Sequence, residues 1–265
     1  MIDLHCHLLP GIDDGPKDLA TSIAMARIAA ADGIHTTACT PHIYPGLFEN
    51  DSAGIAAGVA QLQRALADAG IGLRLVAGTD AHLTPELLGR LRAGTAPTLA
   101  GSRYFLLEPP HTLAPPRFAE SVFEFVMAGY VPVVTHPERL TWIRAHYDVF
   151  AGLVKGGTWL QVTAGSLTGR FGKDAQRFGE KLLGDGLVHI LATDAHSTGR
   201  RAPLLAEGRR VAEKWVGADE ARRLVDERPQ AVLDDLPPAD VAPVPALCGG
   251  APPRRGVLAR LTGRG

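Results

Sequence analysis

Short apolar segments rich in β-branched residues alternate along the chain with longer segments rich in Ala, Leu and Arg. The short segments have the length of buried strands, and the longer ones have the composition of helices. The apolar segments are IDLHCHL, HTTACTPH, LRLVAGTDAH, RYFLLE, VPVVTHPER, TWLQVTAG and VHILATDAH. Several helical segments are followed by a glycine that suits a left-handed helix end, at Gly33, Gly70, Gly129 and Gly186. About seven strand-then-helix units predict an α/β fold with a parallel sheet, and this number favours a TIM-like (β/α)7 barrel over an open sheet.

The charge balance excludes several kinds of partner. Lys and Arg number 27 against 28 Asp and Glu, so the net charge is -1. A chain with no basic excess is not expected to bind nucleic acid or an anionic membrane through its overall charge. No apolar run approaches the roughly 20 residues of a membrane helix, so we expect no insertion into a membrane.

The two ends of the chain have different compositions. The first apolar run begins at residue 2 without a signal segment before it, and the three cysteines are too scattered for a disulfide framework. These features predict a cytoplasmic protein. Residues 236–265 are dense in Pro, Gly and Arg, which predicts a tail with little structure of its own after a folded domain at 1–235.

Histidines and acids occur where the predicted strands end. They are His5 and His7, His42, Asp80 and His82, Glu108, His136, and Asp194 with His196. In a parallel barrel the carboxyl ends of the strands meet at one face, and side chains two residues apart on a strand point the same way. Imidazoles and carboxylates buried together are costly unless a cation neutralises them, and this donor set suits Mn, Fe or Zn. The pattern therefore predicts a site for more than one metal ion.

A single histidine at a strand end is more often structural than metal-binding, whereas a His-x-His pair supported by further strand-end acids favours a metal site. The remaining histidines are predicted to lie at strand starts, on helices or in loops, and we interpret them as structural. They are His35, His111, His146 and His189.

Five motifs occur in the order found in one known family. They are HCHLLPGIDDGPKD at the start, TPH at 40–42, THPER at 135–139, QVTAGSLTGRFG at 161–172 and TDAHSTGRR at 193–201. Over about residues 1 to 235 the chain resembles the PHP (polymerase and histidinol phosphatase) superfamily, and within it the bacterial protein-tyrosine phosphatases of capsule and exopolysaccharide synthesis. The resemblance implies a distorted seven-stranded barrel, three metal ions usually assigned to manganese, and hydrolysis of phosphotyrosine. The implied substrate is the phosphorylated, tyrosine-rich tail of a membrane-associated tyrosine autokinase.

The resemblance also implies which residues hold each ion. The first ion would be bound by His5, His7 and Asp194, and the third by Asp14, His42 and His196. Glu108 and His136 would hold the second, with Asp80 bridging it to the first. The family usually has Glu at the position of Asp80, so the shorter side chain puts the metal spacing in doubt. We interpret His82 as a residue of the rim, with an added ligand as the alternative.

Arginines follow two of these motifs. Arg139 and Arg201 are candidate phosphate-binding residues, because a guanidinium matches two phosphate oxygens at once, and Arg200 is the alternative to Arg201. With them His42 completes the candidate catalytic set. In the expected reaction, metal-activated water attacks phosphorus directly, without a covalent enzyme intermediate. Residues 44–51, YPGLFEND, form a loop beside His42 that frames the tyrosine ring or packs down.

Four other interpretations compete. The segment CGGAPPR at 248–254 has the Cys-x5-Arg spacing of thiolate phosphatases, but its two prolines cannot donate the backbone N–H groups that such a loop needs. A PHP phosphatase of a small phosphomonoester, such as histidinol phosphate, would use the same metals. An amidohydrolase also begins with His-x-His but needs a carboxylated Lys where Glu108 stands. A non-catalytic metal-binding scaffold would lack ligands that are present here.

Overall fold

The strands of this protein are all parallel to their neighbours. The computed structural model describes residues 1–249. The strands are β1 (Ile2–Cys6), β2 (Thr36–Cys39), β3 (His42–Ile43), β4 (Arg74–Ala77), β5 (Asp80–His82), β6 (Tyr104–Glu108), β7 (Val131–Thr135), β8 (Trp159–Thr163) and β9 (Ile190–Ala192). They pair in the orders β1-β2-β4 and β3-β5-β6-β7-β8-β9.

The helices fill the segments between the strands and continue after the last one. They are α1 (Leu19–Ala31), α2 (Ser52–Asp68), α3 (Leu87–Arg92), α4 (Phe118–Met127), α5 (Tyr147–Lys155), α6 (Ala164–Leu167), α7 (Lys173–Gly184), α8 (Ala206–Val216), α9 (Ala218–Arg222) and α10 (Arg228–Leu233). Asp18 and Asp51 cap α1 and α2, each by accepting a hydrogen bond from a backbone N–H three residues on. The four glycines predicted to follow helices all have positive φ, from 67° at Gly70 to 89° at Gly33.

Two of the seven predicted strands are interrupted. The second is divided into β2 and β3 at Thr40 and Pro41, and the third into β4 and β5 at Gly78 and Thr79. Pro41 has no N–H to donate to the ladder, while its carbonyl accepts hydrogen bonds from the Asp80 N–H (3.2 Å) and the Thr79 hydroxyl (3.0 Å). Nine segments therefore make seven strands.

The last strand returns to the first. Just beyond β9, the Asp194 N–H donates to the carbonyl of His5 (2.8 Å), and the His7 N–H donates to the carbonyl of Ala195 (2.9 Å). Asp3, fully buried, adds to this junction by accepting hydrogen bonds from the backbone N–H and the hydroxyl of Thr193. The predicted α/β barrel fold is confirmed, and its distortion lies at the interrupted strands and at this junction.

Side chains alternate between two apolar clusters. In β6, Tyr104 and Leu106 belong to the smaller cluster, which joins residues of seven strand segments, and Phe105 and Leu107 belong to the larger cluster that includes the helices. Since successive residues of a strand point to opposite faces, Glu108 lies on the face of Tyr104 and Leu106. The functional residue at the end of β6 therefore lies on the same face of the strand as packed apolar side chains.

The described part of the predicted tail packs on the domain. Val244 is fully buried, and the guanidinium of Arg228 donates to the carbonyls of Ala242 and Pro243 at 3.0 Å. Arg228 is itself fully buried and forms an ion pair with Glu220 at 2.7 Å. The sequence predicted little structure from residue 236 onward, whereas 236–249 lie against the domain because this buried guanidinium needs acceptors. The boundary at 235 stays a prediction, and 250–265 lie outside the described residues.

Through residue 249, no helix has both the length and the apolar composition to cross a membrane.

Candidate metal centre

The histidines and acids at the strand ends meet at one end of the barrel. Nine residues fall into four overlapping groups, and within each group one donor atom from every member lies within 4.8 Å of the others. The groups are His5, His7 and Asp80; His7, Asp14, His42 and His196; His42, Asp80 and Glu108; and Glu108, His111 and His136. Asp194 lies beside the first group, with its Oδ1 3.3 Å from the Nε2 of His5. The structure therefore brings together all nine residues predicted as ligands.

The His-x-His pair at the end of β1 is oriented by hydrogen-bond partners on the Nδ1 side of each ring. Nδ1 of His5 lies 3.0 Å from Oε1 of Gln161, and Nδ1 of His7 lies 2.7 Å from Oδ2 of Asp13. When these Nδ1 atoms carry the protons, both Nε2 atoms, which lie 3.3 Å apart, present lone pairs to the centre. Sequence reasoning missed the role of Gln161, although it begins a motif that was singled out, at the third position of β8.

The two aspartates of the IDDG turn make different contacts. Asp13 points inward: besides His7, it accepts hydrogen bonds from the backbone N–H groups of His42 (3.2 Å) and Gly15 (2.9 Å). Asp14 reaches the Nε2 of His196 at 3.1 Å and that of His42 at 3.6 Å. The turn lies so close to β1 that a Cβ on Gly15 would be 2.8 Å from the carbonyl oxygen of His7. Glycine at this position lets the turn bring Asp14 to His42 and His196.

Glu108 is the carboxylate that lies among His42, His111 and His136. Its Oε1 lies 3.3 Å from Nε2 of His111 and 3.7 Å from Nε2 of His136, and its Oε2 lies 3.4 Å from Nδ1 of His42. His111, interpreted from the sequence as structural, therefore lies beside Glu108 at the centre, because the loop after β6 returns to the strand end. His82 lies at the edge, with Nδ1 3.7 Å from Glu108, outside the four groups.

The protonation of the centre follows from burial and neighbouring charge. Burial, with a contribution from His196, holds the pKa of His7 well below its usual range, and burial does the same for His136. Burial also lowers the pKa of His5, but Asp80 and Asp194 outweigh it and raise the value to about 9.

The carboxylates remain ionised despite being buried. Burial raises the pKa of Asp194, yet the positive charges of His5 and Arg139 hold it well below the usual range. Burial likewise raises the pKa of Glu108, and hydrogen bonds from His111 and His82 lower it well below that range. A carboxylate that stays charged in a buried position is a suitable metal ligand.

Buried donor atoms without partners test whether cations fit here. Asp80 is fully buried, and neither of its carboxylate oxygens has a hydrogen-bond partner of suitable geometry within residues 1–249. The same holds for Nδ1 of His42 and Nε2 of His196. An unpaired buried carboxylate is costly, and several lone pairs aimed at shared points are what divalent cations require. The residues present thus fit metal ions.

The two predicted phosphate-binding arginines both pair with the same carboxylate oxygen of Asp194, a predicted metal ligand. Arg139 and Arg201 both pair with Oδ2 of Asp194, Arg201 at 2.7 Å, while Oδ1 faces His5. The guanidinium carbon of Arg139 stacks 4.3 Å from the ring centre of Phe171. The buried Nε of Arg201 has no hydrogen-bond partner among the described residues. Arg200, the alternative, is exposed and donates to the carbonyl of Arg170.

The loop predicted either to frame the tyrosine ring or to pack down carries aromatic rings at the edge of the centre. Phe48 stacks on His42 at 5.7 Å between ring centres, and Tyr44 stacks on His82 at 4.0 Å. Leu47, at 63% exposed, stands at the tip. The loop therefore gives the metal centre an aromatic wall beside His42 and His82.

Histidines away from the centre agree with a structural interpretation. His189 is buried, accepts a hydrogen bond from the Leu160 N–H at 3.2 Å and stacks on Trp159. His35 and His146 are exposed and belong to none of the four groups.

The thiolate interpretation gains no support from the described cysteines. Cys6 and Cys39 are fully buried, and burial raises the pKa of both thiols. Cys248 is exposed, and the arginine that would complete its motif, at 254, lies outside the described residues.

A parallel barrel with these donors at the carboxyl ends of its strands has the architecture of a metal-dependent hydrolase. The model of the CpsB/CapC family, described as capsular polysaccharide synthesis, matches residues 1–234. The chain therefore belongs to the CpsB/CapC family.

Relatives agree with this assignment. The tyrosine-protein phosphatase YwqE of Bacillus subtilis (strain 168) is 37% identical over 220 residues, which are 83% of this chain and 86% of that protein. The tyrosine-protein phosphatase CpsB of Streptococcus pneumoniae is 27% identical over 240 residues, covering 89% and 99%. These names confirm, at the level of the family, the predicted enzyme class of protein tyrosine phosphatase.

Solved structures give the same result. Among crystal structures of YwqE and CpsB, described as metal-dependent tyrosine phosphatases, one chain matches with a TM-score of 0.85 and 34% identity, covering 89% of this chain and 95% of that one. A histidinol phosphate phosphatase of Lactococcus lactis, solved with Zn, L-histidinol and phosphate, matches with a TM-score of 0.54 at 11% identity. That second likeness concerns the fold alone.

Proposed function

We propose that this chain hydrolyses phosphotyrosine on a bacterial tyrosine autokinase that regulates capsular or exopolysaccharide synthesis. The substrate would be the phosphorylated, tyrosine-rich tail of that membrane-associated kinase. The proposal is supported by membership of the family and by the names of YwqE and CpsB. The observation that carries it is Asp80, a fully buried carboxylate that has no hydrogen-bond partner within residues 1–249 and shares groups with His5, His7 and His42.

The proposed cofactor is Mn²⁺, in three positions, with Fe or Zn as alternatives. The mixed nitrogen and oxygen donors suit all three metals. Such ions lower the pKa of bound water and neutralise phosphate oxygens, so that water can attack phosphorus without a covalent enzyme intermediate. His5, His7 and Asp194 would hold the first ion, and Asp14, His42 and His196 the third. Glu108 and His136 would hold the second.

The chain's own contribution to catalysis is orientation of the substrate. Arg139 and Arg201 both pair with Asp194, which places two guanidinium groups beside each other to bind phosphate oxygens. Phe171 fixes the plane of the Arg139 guanidinium by stacking on it. The rings of Tyr44 and Phe48 would pack against the phosphotyrosine ring of the substrate, because offset aromatic stacking favours a defined orientation of a ring.

A small phosphomonoester is the competing substrate, since the same centre would serve it. The loop that carries Tyr44 and Phe48 extends outward to the exposed Leu47. This loop favours a phosphorylated aromatic side chain on a protein, because a small substrate would contact only the inner part of the loop.

The experiment that tests the proposal uses metal-stripped full-length protein. Activity on a phosphotyrosine peptide, para-nitrophenyl phosphate and histidinol phosphate is measured with Mn, Zn or Mg added back. We expect no activity without metal, recovery with Mn, and preference for the peptide. A His136→Ala variant should be inactive. Metal-independent activity that is lost in Cys248→Ser would overturn the proposal in favour of a thiolate mechanism, and a strong preference for histidinol phosphate would overturn the proposed substrate.

A further inference from the structure

The loop after β6 brings a histidine to the second metal position. Nε2 of His111 lies 3.3 Å from Oε1 of Glu108, and its ring centre lies 4.8 Å from that of His136. One donor atom from each of the three residues lies within 4.8 Å of the other two. Two imidazole nitrogens and a carboxylate oxygen are a frequent ligand set for a divalent cation in an enzyme.

The backbone that carries His111 is fixed in place. Its carbonyl accepts hydrogen bonds from the N–H (3.0 Å) and the hydroxyl (3.1 Å) of Thr141, and the Trp142 indole N–H donates to the carbonyl of Pro110 at 2.8 Å. Pro109 and Pro110, directly before it, restrict the chain further. A side chain mounted this firmly can act as a metal ligand without a large loss of conformational entropy on binding.

Asp80 leaves room for such a ligand. Within residues 1–249 it occurs in one group with His5 and His7 and in another with His42 and Glu108, but in no group with His136. Its carboxylate lies 3.3 Å from His5 and 3.5 Å from His42, and of the residues assigned to the second position it shares a group with Glu108 but not with His136. An aspartate is one methylene shorter than the glutamate usual here, so its reach to the second position is reduced.

We propose that His111 is a ligand of the second metal ion, where it takes the place left by the shorter Asp80. This inference rests on the proposed metal-dependent function, and it assigns the second position the ligands Glu108, His136 and His111. The His111 side chain is 36% exposed, so it lies between the buried part of the centre and solvent.

Metal binding, measured apart from activity, tests the assignment. Metal-stripped wild-type protein, His111→Ala and His111→Phe are titrated with Mn²⁺ alone, and free Mn²⁺ is followed by electron paramagnetic resonance. The Phe variant keeps a ring beside His136 without a donor nitrogen. His35→Ala is the matched control, because it removes an exposed histidine outside the four groups. Urea unfolding of the metal-free proteins verifies that each variant is folded.

We expect both His111 variants to bind one ion at least about tenfold more weakly, with the other ions and the control unchanged. In an Asp80→Glu background the same His111→Ala change should cost less affinity, because the longer acid supplies the missing donor. Wild-type affinity in folded His111→Ala and His111→Phe would overturn the inference and leave the proposed function intact. Failure of the wild-type protein to bind Mn²⁺ at all would instead overturn the proposed function.

Discussion

Removal of the Asp13 side chain should weaken metal binding although Asp13 touches no ion position directly. Its side chain is 1% exposed, and its Oδ2 accepts from Nδ1 of His7 at 2.7 Å. Without that acceptor, His7 loses both its fixed ring orientation and the tautomer that presents Nε2. Loss of such a partner typically lowers metal affinity roughly 10- to 100-fold, which is about 1.4 to 2.8 kcal/mol. The backbone N–H groups of His42 and Gly15 also lose an acceptor, at roughly 1 kcal/mol of folding stability each.

Asp18→Ala is a matched control for Asp13→Ala. Asp18 lies five residues on and also accepts a backbone hydrogen bond, from the Thr21 N–H, but it is exposed and only caps α1. Competition with a chelator gives the Mn²⁺ affinity, and urea unfolding gives the stability. We expect Asp13→Ala to lose both affinity and stability, and Asp18→Ala to lose stability alone. Equal affinities in the two variants would refute the argument that Asp13 orients a ligand.

Four further outcomes follow from the same geometry. The pKa of His5 is about 9 in the metal-free protein, so His5 is protonated at pH 7 and metal binding at this pH should release about one proton. Calorimetry of metal binding in buffers of different ionisation enthalpy should therefore show different heats. Equal heats in these buffers would contradict the prediction. The raised pKa of His5 stabilises the metal-free fold fully below pH 6.5, and that contribution should be lost as the pH rises through 9. Arg139→Ala should lower kcat/KM on a phosphotyrosine peptide roughly 100-fold with metal content unchanged, whereas the exposed Arg144→Ala should not. Arg228→Leu should cost roughly 3–5 kcal/mol in urea unfolding because it leaves Glu220 buried and unpaired, and adding Glu220→Gln should recover part of the loss.

The general form of the centre could be predicted because it depends on local periodicity. His5 and His7 are two residues apart on a strand, so their side chains share a face wherever that strand is placed. Parallel strands then bring the ends of β1, β6 and β9 to one edge whatever the details of packing. The family resemblance added Asp14, the chemistry of phosphate recognition added the arginines, and the structure places all of these residues around the same centre.

The partners behind the ligands could not be predicted in this way. Gln161 and Asp13 contact the first two histidines across 156 and 6 residues of chain, and Asp13 has the sequence appearance of an ordinary turn residue. The interruptions of the second and third strands depend on the carbonyl of Pro41, which accepts from the neighbouring strand only in the folded barrel. Residues 236–249 look like a linker in composition but satisfy the buried Arg228.

By itself, the sequence determined the alternation of strands and helices and the kinds of donor at each strand end. Both follow from the covalent order of residues and from the two-residue repeat of a strand. Only the tertiary structure decided that His111 joins the centre while His35 and His146 do not, and that Arg139 and Arg201 share one oxygen of Asp194. Loops have no fixed period, so where a loop residue lies depends on hydrogen bonds such as those from Thr141 and Trp142, which exist only after distant segments have packed together.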